Sequence, residues 1–395
     1  FEPRRWIARG GVSSGSFGTW TVRLPCSADR AIWAKLRAKG SPETMGAILG
    51  LAGGARVGVK HGRAVSAAVA VGRTPTLKEP LLEGGRLFWL EQRPQEKGRT
   101  TLWVRAGDGS VSELTPAPRD VRSRVHEYGG GAYAVAGDTV VVVDGADGCL
   151  WRLDLPSDTT AAATTARAPL QEAVRLTPPA PLESPRGFAD GRIDRRRGRW
   201  LGVMESGGRD HLVAVPLAGG EPQVLHEPAD FCGYAVMSPQ GNALAWVEWQ
   251  QPFMPWDRSR LWLAGLDEQG ALVDPRPVAG SGPEDAAGVS VFQPLWAGND
   301  LVVANDRSGW WNLERLAGAA DLAATAEPAW EPLLPMEAEF AMPQWVYGMR
   351  TSVWDGRQLL ALACREGQWS LGRITEGAWD PLPLPFDDLA ALHTD

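Results

Sequence analysis

Short apolar runs that recur about every 50 residues dominate the chain from Pro75 onward. Clusters of Gly, Asp, Asn and Pro separate the runs, which is the pattern of strands joined by tight turns. A first type of run stands at 85–92, 138–144, 199–205, 242–249, 299–306 and 357–364. A second type follows each of these, at 101–106, 149–155, 211–217, 260–266, 311–316 and 369–374. Helical periodicity is nearly absent, so the repeat predicts an all-β chain.

The repeat predicts a β-propeller of four-stranded blades, because its period matches the length of one blade. The six units cover about 80–120, 121–180, 185–228, 230–280, 289–335 and 338–385. A single blade cannot bury both of its faces, so neighbouring blades must stack. Residues 386–395 resemble the first strand of a seventh blade, cut short, and a closed ring of six blades is the alternative. The 19 Trp residues, against 4 Tyr and 9 Phe, fit strands that carry aromatic anchors.

The N-terminal segment, residues 1–74, differs from the rest in being rich in Gly, Ala and Arg. It has few strand-like runs, and we expect it to be an irregular, poorly structured segment that precedes a propeller over 75–395. Residues 28–38 are the exception and predict a short helix, with Ser27 as its N-cap.

Composition excludes several classes of protein. The formal net charge of -7 argues against nucleic-acid binding, and no run of eighteen apolar residues is available to span a membrane. The start of the chain is charged and lacks the apolar core of a secretory signal. The 4 Cys residues are far apart, which predicts reduced thiols in a cytoplasmic protein without structural zinc, although two disulfides are conceivable. We expect no metal and no cofactor.

Four segments resemble the N-terminal propeller of bacterial serine peptidases of the prolyl oligopeptidase family, in particular the acylaminoacyl-peptidase-like and aminopeptidase-like subgroup. They are Val121-RSRVHEYGGGAYAV, Met254-PWD, Asn305-DRSGWWNLERL and Met336-EAEFAMPQWVYGM. The resemblance covers about 75–395, is interrupted over residues 21–73, and includes Ser16-FGTW near the start. The interrupted stretch is either an insertion or the product of a shifted reading frame.

In that family, seven blades precede an α/β-hydrolase domain that carries the catalytic Ser, Asp and His. The resemblance therefore implies that this chain is a truncated form without catalytic residues, whose missing partner is the C-terminal hydrolase domain. The string Gly11–Gly15 fits G-x-S-x-G by its letters. Because no apolar strand precedes it, Ser13 does not sit in the turn that such a nucleophile requires.

The resemblance also implies where substrate would bind. In the exopeptidases of the family, acidic propeller residues face the catalytic cavity and pair with the free amino group of a peptide. Glu127 stands at such a position, and its neighbours Arg124 and Tyr128 are also predicted to bind substrate. The alternative is that Glu127 forms an ion pair with a neighbouring arginine inside its blade. His126 is expected to fix the turn by a hydrogen bond, and Gly129–Gly131 to make a sharp turn rather than a phosphate site.

Arg307 is the fourth predicted substrate-binding residue, through a peptide carbonyl or carboxylate. Its alternative is a structural one, since Asp306–Gly309 has the residues of a hairpin turn and the following tryptophans suit packing between blades. Glu337, Glu339 and Trp345 stand in a loop that either lines the channel or is solvated.

Three functions remain open at this point. The first is a substrate-gating propeller of a serine peptidase that cleaves short peptides or N-terminal residues, with no catalysis by this chain itself. The second is a stand-alone propeller that binds proteins or peptides. A propeller lyase or glycosidase is third, although no carboxylate pair specifies one. The incomplete seventh blade predicts exposed strand edges and homo-oligomers.

Overall fold

The computed structural model describes residues 19–25, 31–37, 74–156, 173–181, 183–322 and 325–395, the first two stretches by their backbone. Two strands come first, β1 (Thr19–Pro25) and β2 (Ala31–Arg37). They pair as an antiparallel hairpin. The helix predicted over 28–38 is wrong, because residues 31–37 form a strand whose pairing partners lie elsewhere in the chain.

Six four-stranded antiparallel sheets follow, each with its strands in sequence order, and the prediction of six propeller blades is confirmed. Blade 1 contains β3 (Thr76–Glu83), β4 (Arg86–Arg93), β5 (Arg99–Arg105) and β6 (Val111–Glu113). Blade 2 contains β7 (Tyr133–Ala136), β8 (Thr139–Val143), β9 (Leu150–Asp154) and β10 (Val174–Arg175). Blade 3 contains β11 (Arg186–Asp194), β12 (Arg199–Ser206), β13 (Arg209–Pro216) and β14 (Gln223–His226).

The other three blades repeat this arrangement. Blade 4 contains β15 (Phe231–Met237), β16 (Ala243–Trp249), β17 (Arg260–Leu266) and β18 (Leu272–Gly280). Blade 5 contains β19 (Val291–Ala297), β20 (Asp300–Asn305), β21 (Asn312–Leu316) and β22 (Trp330–Pro332). Blade 6 contains β23 (Ser352–Trp354), β24 (Leu359–Arg365), β25 (Gln368–Thr375) and β26 (Ala378–Leu382). Short 3-10 turns stand at Pro94–Glu96 and Ala319–Asp321.

A seventh sheet has three strands and joins the two ends of the described chain. The strand β27 (Asp388–Thr394) is the predicted first strand of a seventh blade, and it pairs with β2, which pairs with β1. Sequence reasoning missed this pairing. The sheet, which we call the closing sheet, contacts β3 of blade 1 and β23 of blade 6. The free edge of β27 thus obtains hydrogen-bond partners from the N-terminal segment, and in these stretches that segment is regular.

The terminal residue also contacts blade 1. The side-chain carboxylate of Asp395 accepts hydrogen bonds from the backbone N–H groups of Gly84 and Gly85, at 2.9 Å for the Gly84 bond. These two glycines form the tight turn between β3 and β4, with φ values of 58° and 70°. The exposed edge predicted for the strand of the seventh blade is therefore wrong for β27, since β27 pairs with β2 and the closing sheet lies between blades 6 and 1.

Apolar surface between the blades forms the core. The strand β12 shows why its sequence from Trp200 to Met204 is apolar: these five successive residues are buried, because both faces of the strand pack against neighbouring blades. Trp200 and Trp246 are among the largest fully buried side chains. Each large apolar side chain buried in this way contributes about 1.5–3 kcal/mol.

The loops within the four motifs that resemble the peptidase family fall on one face of the ring. Within each antiparallel blade, the loop between the second and third strands and the loop that leaves the fourth strand emerge at the same end. Segments 114–132, 250–259, 306–311 and 333–351 are loops of these two kinds. We call the end where they emerge the site face.

The cysteines and the apolar segments complete the fold. Cys149, Cys232 and Cys364 are free thiols as predicted, while Cys26 lies outside the described residues. Among the described residues, no helix has both the length and the apolar character needed to cross a membrane.

Candidate functional site

The loop from Arg124 to Gly131 is the centre of the candidate site, and its path depends on left-handed backbone. His126 and Glu127 have φ values of 52° and 64°, and the three glycines that follow are also positive. A Cβ atom on Gly130 would stand 2.4 Å from the carbonyl oxygen of Tyr347. One on Gly131 would stand 2.6 Å from the Cα atom of Asp190. The predicted structural turn is confirmed, since only glycine allows this approach.

His126 anchors the loop to blade 3. Its backbone N–H donates to Oε2 of Glu205 at 2.8 Å, and its ring nitrogen Nε2 lies 2.9 Å from Oδ1 of Asp210. The Asp210 carboxylate is fully buried, and its other oxygen accepts hydrogen bonds from the Cys232 N–H and the Tyr347 hydroxyl. The predicted role of His126 in fixing the turn is confirmed.

Aromatic rings of blade 4 hold the same imidazole from its sides. The Phe231 ring meets it edge-on with centroids 5.0 Å apart, and the Trp249 ring does so at 6.2 Å. These contacts leave the His126 side chain about one quarter exposed. The His126 imidazole therefore serves to hold the loop from Arg124 to Gly131 in place.

The immobilised loop presents Glu127 to solvent. Glu127 is exposed, and among the described residues its carboxylate has neither an ion-pair nor a hydrogen-bond partner. Arg122 instead pairs with Asp120 at 3.3 Å and donates to the Gly98 carbonyl at 2.7 Å. Arg124 is exposed beside Glu127 and likewise has no ion pair in the described part of the chain. The alternative in which Glu127 pairs with a neighbouring arginine is absent from this arrangement.

An exposed apolar surface lies next to Glu127. Tyr128 and Trp345 are 69% and 56% exposed, and their ring centroids are 6.4 Å apart. Trp345 also packs against Trp256 at 4.5 Å. Met254 and Val346 adjoin these rings in sequence and are exposed as well. We call this set of five side chains the aromatic patch. Exposed large apolar surface of this kind marks an interaction site on a folded domain.

Arg307 takes a different position from the other predicted residues. Its guanidinium is bound by Glu314, with the Nε atom 2.8 Å from Oε1, and Glu314 also accepts a hydrogen bond from Asn305. All three residues belong to blade 5, and the side chain of Arg307 is about half exposed. In the described residues no hydrogen bond or ion pair joins Arg307 to the 124–128 loop.

The neighbouring segments of blade 5 are structural. The Gly309 N–H donates to the Asp306 carbonyl at 2.9 Å, which confirms the predicted hairpin turn. Trp311 is buried and stacks on Phe292. Glu339 accepts a hydrogen bond from the Trp311 N–H at 2.9 Å, so this carboxylate braces a loop.

Sequence reasoning named the separate members of this site without their contacts. The segment 336–349 reaches the glycine turn, where Gly130 and Tyr347 form a parallel bridge. Tyr128 and Trp345 are 217 positions apart in the sequence, and the propeller fold brings them into contact. This contact has no local signal in the sequence. No group of three potential metal ligands occurs in the described ranges. Ser13 lies outside the described residues.

Comparison with known proteins adds independent information. No family model matches the sequence, and no curated protein matches it. A puromycin hydrolase variant solved in complex with PGG is similar over 84% of this chain and 50% of its own, with 28% identity and a TM-score of 0.72. A puromycin-hydrolyzing peptidase from Mycobacterium tuberculosis is similar over 80% and 48%, with 30% identity and a TM-score of 0.67.

A third solved structure is similar in fold alone. It is the acylaminoacyl peptidase of Pyrococcus horikoshii, which has 10% identity and a TM-score of 0.51 and matches 79% of this chain. The chain spans about half the length of the solved chains it resembles.

The chain folds as a β-propeller, and the solved structures it resembles at 28–30% identity are peptidases or hydrolases. More particularly, the chain resembles the propeller portion of puromycin-hydrolyzing peptidases, so the resemblance to prolyl-oligopeptidase-type propellers stated from the sequence is confirmed.

Proposed function

We propose that this chain is the substrate-gating propeller of a serine peptidase, and that Glu127 binds the free amino group of a short peptide substrate. The observation that carries the proposal is the exposed Glu127 carboxylate, without an ion-pair partner in the described residues, on a loop fixed by His126 and Asp210. The similarity to puromycin-hydrolyzing peptidases over about half of their length supports the enzyme class. Catalysis itself would belong to a hydrolase domain.

The chemistry of the loop fits an ammonium ligand. A carboxylate that accepts hydrogen bonds from an ammonium forms one of the stronger polar contacts, worth about 1.5–3 kcal/mol when water is excluded. An exposed pair is worth about 0.2–1 kcal/mol, so coverage of the site face would strengthen the contact. Tyr128 would add ring contact to the ammonium group, and Arg124 would approach a carbonyl of the same peptide.

We further propose that the aromatic patch is where the hydrolase domain covers the site face. Its exposed rings stand beside Glu127, so a domain seated on them would enclose the carboxylate. Enclosure would also limit entry to short or unfolded peptides. Arg307, whose guanidinium is bound by Glu314, would serve this face only by giving up that ion pair.

The test compares two peptides that differ at the amino end. Trialanine has a free ammonium group, and N-acetyl-trialanine has none. By isothermal titration calorimetry on the purified chain, in which Glu127 is exposed, we expect trialanine to bind about twofold to fivefold more tightly than the acetylated peptide, which corresponds to about 0.4–1 kcal/mol. Glu127→Gln should abolish the difference between the peptides.

Glu376→Gln is the matched control. Glu376 is an exposed carboxylate in the turn between β25 and β26, which emerges at the face opposite the site face. Its substitution should leave both affinities unchanged. Equal binding of the two peptides by the unaltered chain would contradict the amino-group proposal.

The alternative function is a stand-alone interaction module, and the aromatic patch favours it specifically. It predicts that Trp345→Ser removes binding of a folded protein partner. It also predicts that the unaltered chain does not bind trialanine, so that Glu127→Gln has no effect on peptide binding.

A further inference from the structure

The turn between β12 and β13 of blade 3 lies beside the candidate site. It contains Gly207 and Gly208, and β13 begins directly after it at Arg209. Because it joins the second and third strands of a blade, this turn emerges at the site face. Arg209 is exposed, and within the described stretches its guanidinium makes neither a hydrogen bond nor an ion pair.

The loop that carries Glu127 contacts the two strands that this turn joins. The His126 N–H donates to Glu205 of β12 at 2.8 Å, and the His126 ring nitrogen Nε2 lies 2.9 Å from Asp210 of β13. Glu205 and Asp210 are a cross-strand pair, and Arg209 belongs to the next pair towards the turn. Consecutive Cα atoms are about 3.8 Å apart. Glu127 and Arg209 are therefore each adjacent in the chain to a residue of the same contact.

Packing beneath the loop fixes the same arrangement. Val125 is fully buried, and a Cβ atom on Gly187 of β11 would stand 3.1 Å from its Cγ2 atom. Gly187 pairs with Glu205 of β12. The loop thus contacts β11, β12 and β13 of blade 3, and the turn that carries Arg209 lies at the same end of these strands.

The carboxylates nearest to Arg209 along the sheet have other partners. Asp210 is buried, and both of its oxygens have hydrogen-bond partners in other segments. Glu205 accepts the hydrogen bond from the His126 N–H. Neither forms an ion pair with Arg209 in the part of the chain that the structure describes. The Arg209 guanidinium can therefore meet a ligand at the site face.

Contacting segments thus present opposite charges at the site face, a carboxylate at Glu127 and a guanidinium at Arg209. A short peptide with both ends free carries the complementary charges, an ammonium group at one end and a carboxylate at the other. An extended tripeptide spans about 10 Å, so side chains on two contacting segments can hold its two ends. The planar guanidinium donates two parallel hydrogen bonds to a carboxylate, which a neutral amide cannot accept in the same way.

We propose that Arg209 binds the C-terminal carboxylate of a short peptide whose amino group is bound by Glu127. This inference rests on the function proposed above, and it narrows the substrate class to short peptides with a free C-terminus. The role of Arg209 is separate from that of Arg124, which would approach a carbonyl within the peptide.

The test compares trialanine with trialanine amide, in which a neutral amide replaces the C-terminal carboxylate. By isothermal titration calorimetry on the purified chain, we expect trialanine to bind about twofold to fivefold more tightly than its amide, the range of an exposed ion pair. The formal net charge of the chain is -7, so its overall field favours the cationic amide over zwitterionic trialanine. A preference for the free acid therefore reports a local cation.

Three variants locate that cation. Arg209→Gln should bring the affinity ratio of trialanine to its amide down to one or below, and Arg209→Lys, which keeps the charge, should retain a preference for the acid. Arg124→Gln should weaken both peptides in the same proportion, because both keep the internal carbonyls.

Arg357→Gln is the matched control. Arg357 is an exposed arginine in the turn between β23 and β24, which emerges at the face opposite the site face. Its substitution changes the net charge by the same amount as Arg209→Gln and should leave the ratio of the two affinities unchanged.

The proposals for Arg209 and Glu127 can fail independently. An amide that binds the unaltered chain as tightly as trialanine, or a preference for the acid that persists in Arg209→Gln, would overturn the role of Arg209. Glu127→Gln should keep the preference for the acid while it removes the discrimination against N-acetyl-trialanine. Equal binding of trialanine and N-acetyl-trialanine with a retained acid preference would contradict the role of Glu127 alone. An absence of trialanine binding would overturn both.

Discussion

Removal of the His126 imidazole should cost about 2–4 kcal/mol of unfolding free energy. The hydrogen bond to the fully buried Asp210 carboxylate has a nitrogen-to-oxygen distance of 2.9 Å, and a bond to a charged group contributes about 1.5–3 kcal/mol. The edge-on contact with Phe231 adds about 0.5–1.5 kcal/mol. His126→Ala also leaves Asp210 with fewer donors in a site that water does not reach.

A double-mutant cycle separates the hydrogen bond from the loss of packing. His126→Ala, Asp210→Asn and the double variant are compared by urea unfolding followed by tryptophan fluorescence, which reports the free energy of unfolding from the transition midpoint and slope. We expect a coupling energy of about 1.5–3 kcal/mol between the two positions. His126→Gln should recover part of the loss, because an amide keeps a donor.

The same variants test whether the anchor positions the candidate site. His126→Ala should weaken trialanine binding under conditions where the chain stays folded, since the loop that carries Glu127 loses its attachment to blade 3. A coupling energy near zero, or an affinity for trialanine that does not change, would refute this account of the loop.

Three further predictions concern the ring. Gln293→Ala should lower the free energy of unfolding, measured with urea, by about 2–4 kcal/mol. The Gln293 amide joins β19 to blade 6, because it accepts a hydrogen bond from the Thr351 N–H at 2.6 Å and donates one to the Ser352 carbonyl at 2.6 Å. A loss below about 0.5 kcal/mol, the range of surface changes, would contradict this prediction. Gly130→Ala should abolish the cooperative unfolding transition or reduce the free energy of unfolding by more than about 2 kcal/mol, because the added Cβ would stand 2.4 Å from the Tyr347 carbonyl oxygen. Unfolding followed by circular dichroism measures this change, and an unchanged transition would contradict the prediction. His393 has a lowered pKa in the folded state, so the unfolded chain takes up a proton at this ring at higher pH than the folded chain does. Acidification from pH 7 to pH 5.5 should therefore lower the free energy of unfolding by about 1 kcal/mol through this group. A His393→Gln variant with the same pH dependence of stability as the unaltered chain would rule this out.

The sequence predicted the blades well because each blade is a local unit. Each strand, such as 242–249, is a continuous apolar segment bounded by turn residues. The number and spacing of the strands can therefore be recognised from the sequence alone. The four motifs that carried the family resemblance all lie in segments that contribute to the site face. The exposed position of Glu127 followed from the family pattern rather than from any local signal.

Non-local pairing accounts for what sequence reasoning missed. Residues 31–37, Ala-Ile-Trp-Ala-Lys-Leu-Arg, suit a short helix by composition, but they pair with β1 on one side and with the distant β27 on the other, and so form a strand. That pairing has neither a spacing nor a motif that a single sequence displays.

A crystal structure of the chain with bound trialanine would test the central claim most directly, through the distance between the peptide's amino nitrogen and the nearest carboxylate oxygen of Glu127. The account predicts a charge-assisted hydrogen bond of about 2.7–2.9 Å, with the peptide lying against Tyr128. A peptide whose amino group lies away from the 124–128 loop, with the Glu127 carboxylate still solvated, would contradict it.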